Sequence, residues 1–536
     1  MGTACRTLLR GLPALVMAAW IDAPARSQEL LLQVTGQGGW FGYPIARIGD
    51  VNGDGLPEFL VSARYQNPPG VHVLDGSGSL LYQINSQSND INEGFGASIS
   101  SAGDVDADGV EDVLIGAPFN RERGIWNGAA YLHSGADGSF LRRFLGSADD
   151  IRLGTAVGRA GDVDGDGVED QIVGAPVADR NNKAGYAEGA AYVYSGATGS
   201  LLHTIWGPSN KTTYPLFGSA VCGVGDVNGD GRGDLLVGAW GDWDSNGFMT
   251  GSATLFSGLD GSVLHRSFGA LADDHYGFAL AGLGDIDFDG VPEYAVGAYQ
   301  HSGKGDGYVR IYSGQMQSLI ATLTGSTNDA YYDKFGISVA AAGDVDADGV
   351  VDVVVGTEPY HRDNEGGYYG QPYVRIYSGA TLTPLYNLRR EVSRVYTFFG
   401  VSVAGVGDLN GDGFGEIAVG APFGPDDGTY RGEVVLYSGN DLWLAAEPPV
   451  VASGDSLTLS TRSGVAGAPV ALFLVEVNGS PLVKALVLDF FPAGGEWDLN
   501  FVAPPGIAGL SFGLMSFSLE SNGKPSASAS ETVVGK

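Results

Sequence analysis

The sequence predicts an all-β chain: a seven-bladed β-propeller of four-stranded blades, followed by a small β-sandwich. Three observations predict it. A short acidic loop recurs seven times, starting at Asp50, Asp104, Asp162, Asp226, Asp285, Asp344 and Asp408, at intervals of 54, 58, 64, 59, 59 and 64 residues. Between loops the chain runs in short alternating apolar and polar stretches divided by glycine-rich turns, the pattern of half-buried strands. After Leu444 the loops stop while the alternation continues. A repeat of this period dictates the architecture, and seven four-stranded sheets in series bury their faces best by closing into a ring.

The chain starts with what reads as an export signal. Arg6 and Arg10 flank a basic stretch, Leu12 to Ile21 is apolar, and small residues follow at Ala23, Ala25 and Ser27. An apolar run of roughly ten residues is too short to span a bilayer, so residues 1–27 read as a removed secretory signal and no transmembrane segment is expected. The mature chain then keeps a single cysteine, Cys222, which reads as a buried small hydrophobe and leaves no internal disulfide. The formal charge is −33, and the seven loops supply 25 of the 62 acids. This acidity excludes nucleic acid and anionic membrane as partners and reads as a supply of metal ligands.

Residues 28–445 read as the propeller. Leu30 to Val34 resembles a fourth strand with no unit before it, while the last unit fades after Leu442-Trp443-Leu444, so the N-terminal strand is expected to complete the final blade. Each unit opens on an aromatic-glycine pair: Phe41-Gly42, Phe95-Gly96, Phe217-Gly218, Tyr276-Gly277, Phe335-Gly336 and Phe399-Gly400, with Leu153-Gly154 in the third unit. An acidic loop follows, then an apolar strand ending in a Gly-Ala tag, as at Gly116-Ala117 and Gly174-Ala175. A variable stretch leads to a third strand ending in Tyr-Ser-Gly or a near variant, and a fourth strand closes the unit.

The loops carry the chemistry. Side-chain oxygens at positions 1, 3, 5 and 9 and the backbone carbonyl at position 7 form a cage for a hard cation, and calcium suits it because it accepts six to eight oxygens at loose geometry. These donors are Asp50, Asn52, Asp54, Leu56 and Glu58 in the first loop; Asp104, Asp106, Asp108, Val110 and Asp112 in the second; and Asp162, Asp164, Asp166, Val168 and Asp170 in the third. The fourth offers Asp226, Asn228, Asp230, Arg232 and Asp234, and the fifth Asp285, Asp287, Asp289, Val291 and Glu293. Asp344, Asp346, Asp348, Val350 and Asp352 serve the sixth, and Asp408, Asn410, Asp412, Phe414 and Glu416 the seventh. A glycine at position 6 of every copy supplies a left-handed turn. Up to seven structural Ca2+ ions are expected, bound more weakly in the loops with Asn at position 3 and least well in the first. An EF-hand loop needs an acid at position 12; here that position is Val or Ile inside an apolar strand, as at Val61, Ile115 and Val419. Without metal, carboxylates about 4 Å apart repel by roughly 1–4 kcal/mol per pair.

The paired tags and the loops resemble FG-GAP repeats, the blades of the integrin alpha-subunit propeller and of many secreted bacterial proteins. The resemblance covers about residues 30–445. It implies calcium loops on one face of the ring and partners on the other. The departures are Val61-Ser62-Ala63 in the first unit and Gly356-Thr357-Glu358 in the sixth, each in place of a Gly-Ala tag.

Loops after the Gly-Ala tags hold candidate contact residues: Trp126, Trp243, His301, His361, Tyr368 and Tyr369, joined by Tyr331, Tyr332 and Tyr396 between blades. Flat rings suit protein or glycan recognition, or they pack loop against loop. Arg232-Gly233-Asp234 spells an adhesion tripeptide, but Asp234 is already a loop ligand. Asn210 and Asn478 are glycosylation acceptors in a host that glycosylates. No zinc, nucleophile-elbow or phosphate-loop motif occurs. Residues 446–536 start with a proline-rich linker and carry about six alternating runs, Ser456 to Thr461, Val470 to Val477, Leu482 to Phe490, Glu496 to Val502, Leu510 to Leu519 and Thr532 to Val534. They read as an accessory β-sandwich. The sequence therefore points to a secreted, non-enzymatic binding or adhesion module; the alternative is an extracellular polysaccharide-active enzyme with its site opposite the calcium loops. Fold alone does not choose between them, and the oligomeric state is not written in the chain.

Overall fold

A computed structural model describes residues 30–439, apart from 89–91, 148–150, 181–186, 209–213, 301–306, 326–332, 359–371, 390–396 and 425–430, and the backbone of the strands between 456 and 533. The proposed signal segment, Asn210, His301, Tyr331, Tyr332, His361, Tyr368, Tyr369, Tyr396, Trp443 and Asn478 lie outside the described residues. Among the described residues no helix is long and apolar enough to cross a membrane.

The chain forms a seven-bladed propeller. Blade 2 shows the plan: Ser98–Gly103, Asp112–Ala117, Ala129–His133 and Phe140–Leu145 pair antiparallel in that order from the axis outward. Burial follows the sequence texture. Every residue of the second strand is buried, because neighbouring blades cover both of its faces, so it is written as a continuous apolar run. The outermost strand is covered on one face and alternates. Blade 7 takes Ser402–Gly407, Glu416–Ala421 and Glu433–Tyr437 from the C-terminal end of the array and Leu30–Thr35 from the N-terminal end. The pairing runs from Leu30 opposite Tyr437 to Thr35 opposite Glu433, as the orphan strand in the sequence predicts.

One apolar cluster fills each joint between blades. At the closing joint Ile45, Phe59 and Val61 of blade 1 pack against Val406, Ala418 and Val434 of blade 7. The two tags build the backbone side of these joints. Gly154, at φ 86°, donates its N–H to the Gly174 carbonyl of its own blade at 3.0 Å, and a Cβ there would stand 2.1 Å from the Ala129 carbonyl oxygen of the preceding blade. A Cβ on Gly116 of that preceding blade would stand 2.1 Å from the Gly154 oxygen. Neither glycine tolerates a side chain. The equivalent contact at the closing joint, Gly420 to the Gly42 oxygen, is 2.0 Å, so the ring closes as it propagates. The departures also fit. Ser62, in place of the tag glycine, turns the clash into a hydrogen bond, its hydroxyl donating to the Gly96 oxygen at 2.7 Å. Thr357 accepts the Tyr373 N–H at 2.9 Å and donates to the Tyr373 oxygen at 2.7 Å. Gly116→Ala is expected to lower stability by about 2–3 kcal/mol, from overpacking against backbone that cannot yield. Urea unfolding of the variant checks this, with the midpoint falling at unchanged slope.

Beyond the propeller, Ser480–Leu486, Leu472–Val477, Leu510–Met515 and Glu531–Val533 form a four-stranded sheet in that order. Ser456–Arg462 pairs with Glu496–Val502, and Phe517–Leu519 with Pro525–Ala527. The run expected at 510–519 is broken into two strands that pair with different partners.

Candidate functional site

Antiparallel strands alternate direction, so the loop between the first and second strands of a blade and the turn between its third and fourth share one face of the ring. The acidic loops and the Tyr-Ser-Gly turns are these segments. The Gly-Ala loops and the links to the next blade share the other face.

Within each loop the acids first organise their own backbone. Asp408 accepts the N–H groups of Gly411, Asp412 and Gly413 at 2.6, 3.1 and 2.8 Å, Asn410 accepts that of Asp412 at 2.9 Å, and Asp412 that of Phe414 at 3.0 Å. These side-chain turns fold the strand back on itself. The glycine at position 6 has φ between 83° and 92° in all seven loops and no atom within 4 Å of a Cβ, so the left-handed turn alone requires it. Position 4 is left-handed too. Gly53, Gly165, Gly229 and Gly411 hold it without strain, whereas Ala107, Phe288 and Ala347 hold it at φ 61°, 62° and 56°.

The acid at position 9 is fully buried in every loop. It accepts the N–H of position 2, at 2.6 Å for Leu409 to Glu416 and 2.8 Å for Val345 to Asp352. Where it is aspartate, its other oxygen takes the N–H of the tag glycine, from Gly135 to Asp112 at 3.0 Å and from Gly379 to Asp352 at 2.9 Å. The Tyr-Ser-Gly tag is therefore part of the loop site, a role the sequence reading gives only to strand ending. The signal for it was there: a Cβ on Gly135 would stand 1.8 Å from the Glu111 oxygen, so the recurrent glycine answers to the loop.

Ligand atoms converge within 4.8 Å in five loops: Asp50, Asp54 and Glu58; Asp104, Asp106 and Asp108; Asp162, Asp164 and Asp170; Asp285, Asp287 and Asp289; Asp344, Asp346 and Asp348. The first loop, expected to be the poorest, is among them. The fourth and seventh, which share its Asn at position 3, bring no such trio together among the described residues. Burial, with repulsion from the loop aspartates and against the hydrogen bonds it accepts, pushes Asp112, Asp170 and Asp234 up to about 6, Asp352 and Glu293 to about 7 and Glu416 to about 8. Each loop holds more negative charge than its surroundings solvate. The donors are hard oxygens throughout, and the buried Glu293 Oε1 has no hydrogen-bond partner. That orphaned oxygen beside a converged trio fits a hard divalent cation.

The Arg-Gly-Asp tripeptide is not on display. Asp234 is fully buried, its oxygens engaged by Val227 N–H at 2.9 Å and Gly258 N–H at 3.0 Å. Arg232 instead lies across Gly165 of the neighbouring loop. Cys222 is half-buried rather than fully buried, packed at the joint between blades 4 and 5.

On the opposite face the aromatic residues divide. Trp240 packs against His275 and Phe278, and Tyr299 meets His275 Nδ1 at 2.5 Å, which is loop packing on loop. Trp243 and Tyr65 stay exposed. His72 and His133 sit in strands, and burial lowers the pKa of both, so they read as neutral core histidines.

An FG-GAP repeat profile matches residues 399–437 and an FG-GAP-like repeat profile residues 50–115. Two stretches of the chain thus match FG-GAP repeats. The chain is 27% identical to chicken (Gallus gallus) integrin alpha-V over 280 residues, 50% of this chain and 26% of that protein. Chicken integrin alpha-8 is 30% identical over 248 residues, 44% of this chain and 23% of its own, and human integrin alpha-7 is 38% identical over 130 residues, 24% and 10%. The chain thus spans about a quarter or less of the length of these relatives. A solved structure described as the Dos1 propeller aligns with 77% of this chain and 96% of that one, at 11% identity and a TM-score of 0.43.

Proposed function

We propose that this FG-GAP propeller is a secreted, calcium-stabilised binding module. Its seven acidic loops hold structural Ca2+ through the residues at positions 1, 3, 5, 7 and 9, and its partner, an extracellular protein or glycan, docks on the face of the Gly-Ala loops. Residues 1–27 direct export and are removed, residues 28–445 form the binding body, and residues 446–536 attach or present it. The observation that carries the calcium reading is the buried, unpartnered Glu293 oxygen beside the converged trio Asp285, Asp287 and Asp289. Similarity to integrin alpha chains supports the adhesion class.

The calcium reading has a sign-changing test in Glu293→Gln. Glutamine keeps the shape and spares the buried site a charge. In chelator at pH 8 the variant is expected to be more stable than the parent, by about 1–2 kcal/mol. In millimolar calcium the order reverses. Thermal unfolding in the two buffers reads both signs, and a variant less stable than the parent in both denies Glu293 a metal role.

The binding reading is tested by retention on a panel of extracellular polysaccharides and matrix or envelope proteins, in calcium and in chelator, with the supernatant assayed for released sugar. Retention in calcium without product is expected. Released oligosaccharide overturns the reading and makes the partner face an active site.

A further inference from the structure

We propose that the Gly-Ala loop of blade 1, with the segment that leads into the blade, is a binding subsite for one carboxylated sugar, a uronate at the end of an otherwise neutral glycan. This rests on the Gly-Ala face being the partner face and names the ligand one part of that face selects. Residues 36–41 and 63–69 build the subsite, and all of them are described. Trp40 and Tyr65 form a corner, their ring centroids 4.9 Å apart and their planes at 70°, with 36% and 54% of their surfaces exposed. Arg64 lies against both rings. Its guanidinium carbon stands 4.6 Å from the Tyr65 centroid and 5.5 Å from that of Trp40.

The corner is held before any ligand arrives. Tyr65 N–H donates to the Gly39 oxygen at 3.0 Å and Gln66 N–H to the Ala63 oxygen at 3.0 Å, which lays the entering segment on the loop. A Cβ on Gly39 would stand 2.2 Å from the Gln66 nitrogen, so the two strands of backbone touch there. Phe423 backs the Trp40 ring at 5.3 Å. Trp40 has φ 60°, a left-handed turn it shares with Gly94, Leu216, Lys334 and Phe398 before the aromatic tags of other blades. The turn therefore belongs to the fold. The fold does not ask for tryptophan, since Gly94 makes the same turn with no side chain at all.

What the corner lacks decides the ligand. Arg64 is half-buried, its Nη2 donates to the Tyr65 hydroxyl at 2.7 Å, and its Nε is buried without a partner. Neither segment carries an acid, and no carboxylate pairs with Arg64 among the described residues. A cation so placed is costly until an opposite charge reaches it. A pyranose offers apolar C–H groups to an aromatic face, and a uronate carries its carboxylate on the rim of the same rigid ring, so one unit meets ring and cation together. An aspartate or glutamate side chain brings the charge without that apolar face. A long polyuronate is disfavoured, because 62 acidic against 29 basic side chains repel it along its length. One terminal carboxylate feels chiefly the charges within about 8–10 Å, the screening length at physiological salt.

The test titrates the full chain in millimolar calcium with a glucose trisaccharide whose end unit is glucuronate, followed by ligand-observed NMR. Comparators are the methyl ester of that sugar, the all-glucose trisaccharide and the capped peptide Asp-Leu-Gly. The acid sugar is expected to bind about tenfold more tightly than each of them. Arg64→Ala and Trp40→Ala each remove about tenfold, Arg64→Lys and Trp40→Phe recover part of it, and added salt weakens the acid sugar more than its ester. All four variants keep the parent's thermal midpoint. Equal binding of the ester or the peptide, or binding indifferent to Arg64 or Trp40, overturns the proposal. Retention on glycans or matrix proteins that survives both alanine substitutions removes this subsite while leaving the binding module intact, whereas no retention on any material removes the module itself.

Discussion

Chelating divalent cations at pH 7.5 is expected to lower the unfolding temperature by about 15 °C. A ligand held at a hundred times its Kd stabilises by about 2.7 kcal/mol per site, five loops converge on a common centre, and a ring of this length loses roughly 1 °C per kcal/mol. The effect has a pH signature. Burial penalises the charge of the position-9 acids: it raises Glu58 and holds the other six at about 6 to about 8 in the folded chain, against about 4 when unfolded. A raised folded pKa means that the folded state holds its protons more tightly, so without metal the stability present at pH 4 is lost as pH climbs through 6 to 8. A bound cation favours the charged form and cancels that loss. The gap between calcium and chelator should therefore widen from pH 5 to pH 8, read by differential scanning calorimetry. A gap independent of pH contradicts the assignment of these acids to the metal.

A chain lacking Leu30–Thr35 should fail to accumulate in soluble form, or unfold at a lower temperature than the chelated parent. Removing that strand exposes the edge of Glu433–Tyr437 and the N–H and C=O groups it pairs, and such an edge recruits other chains. It also removes Leu32 and Val34, which pack on the closing cluster, and strips Glu433 of the Gln33 Nε2 hydrogen bond at 2.6 Å. The ring would then have an open joint between blades 7 and 1. Size-exclusion chromatography of the truncated chain reads the result, and a monomer with the parent's midpoint means that closure does not depend on this strand.

Both predictions rest on features legible in the sequence, for a physical reason. The loop period, the paired tags and the orphan strand at Leu30 are each imposed by a constraint that acts once per blade, so repetition raises them above the background. What stayed hidden acts between units. The glycine of the Tyr-Ser-Gly tag looks like a strand terminator until Gly135 is seen donating to Asp112 across the turn. Ser62 reads as a lapse in the tag, yet its hydroxyl repairs the joint it interrupts. The left-handed turn at position 4 is masked because Ala107, Phe288 and Ala347 occupy it despite the strain. Asn at position 3 sets no common outcome, since Asp50, Asp54 and Glu58 converge while the fourth and seventh loops bring no such trio together. Side-chain packing on the partner face, with Trp240 against His275 and Trp126 beside two arginines, follows from loop conformation that alternation does not encode.

The central claim, that the seven acidic loops are calcium sites, is tested most directly by equilibrium dialysis of residues 28–536 against radioactive calcium at pH 7.5. The account predicts at least five ions bound per chain at millimolar calcium, and one fewer when Asp104 and Asp108 are both changed to asparagine. Fewer than one ion per chain, or a count unmoved by that double substitution, would contradict it.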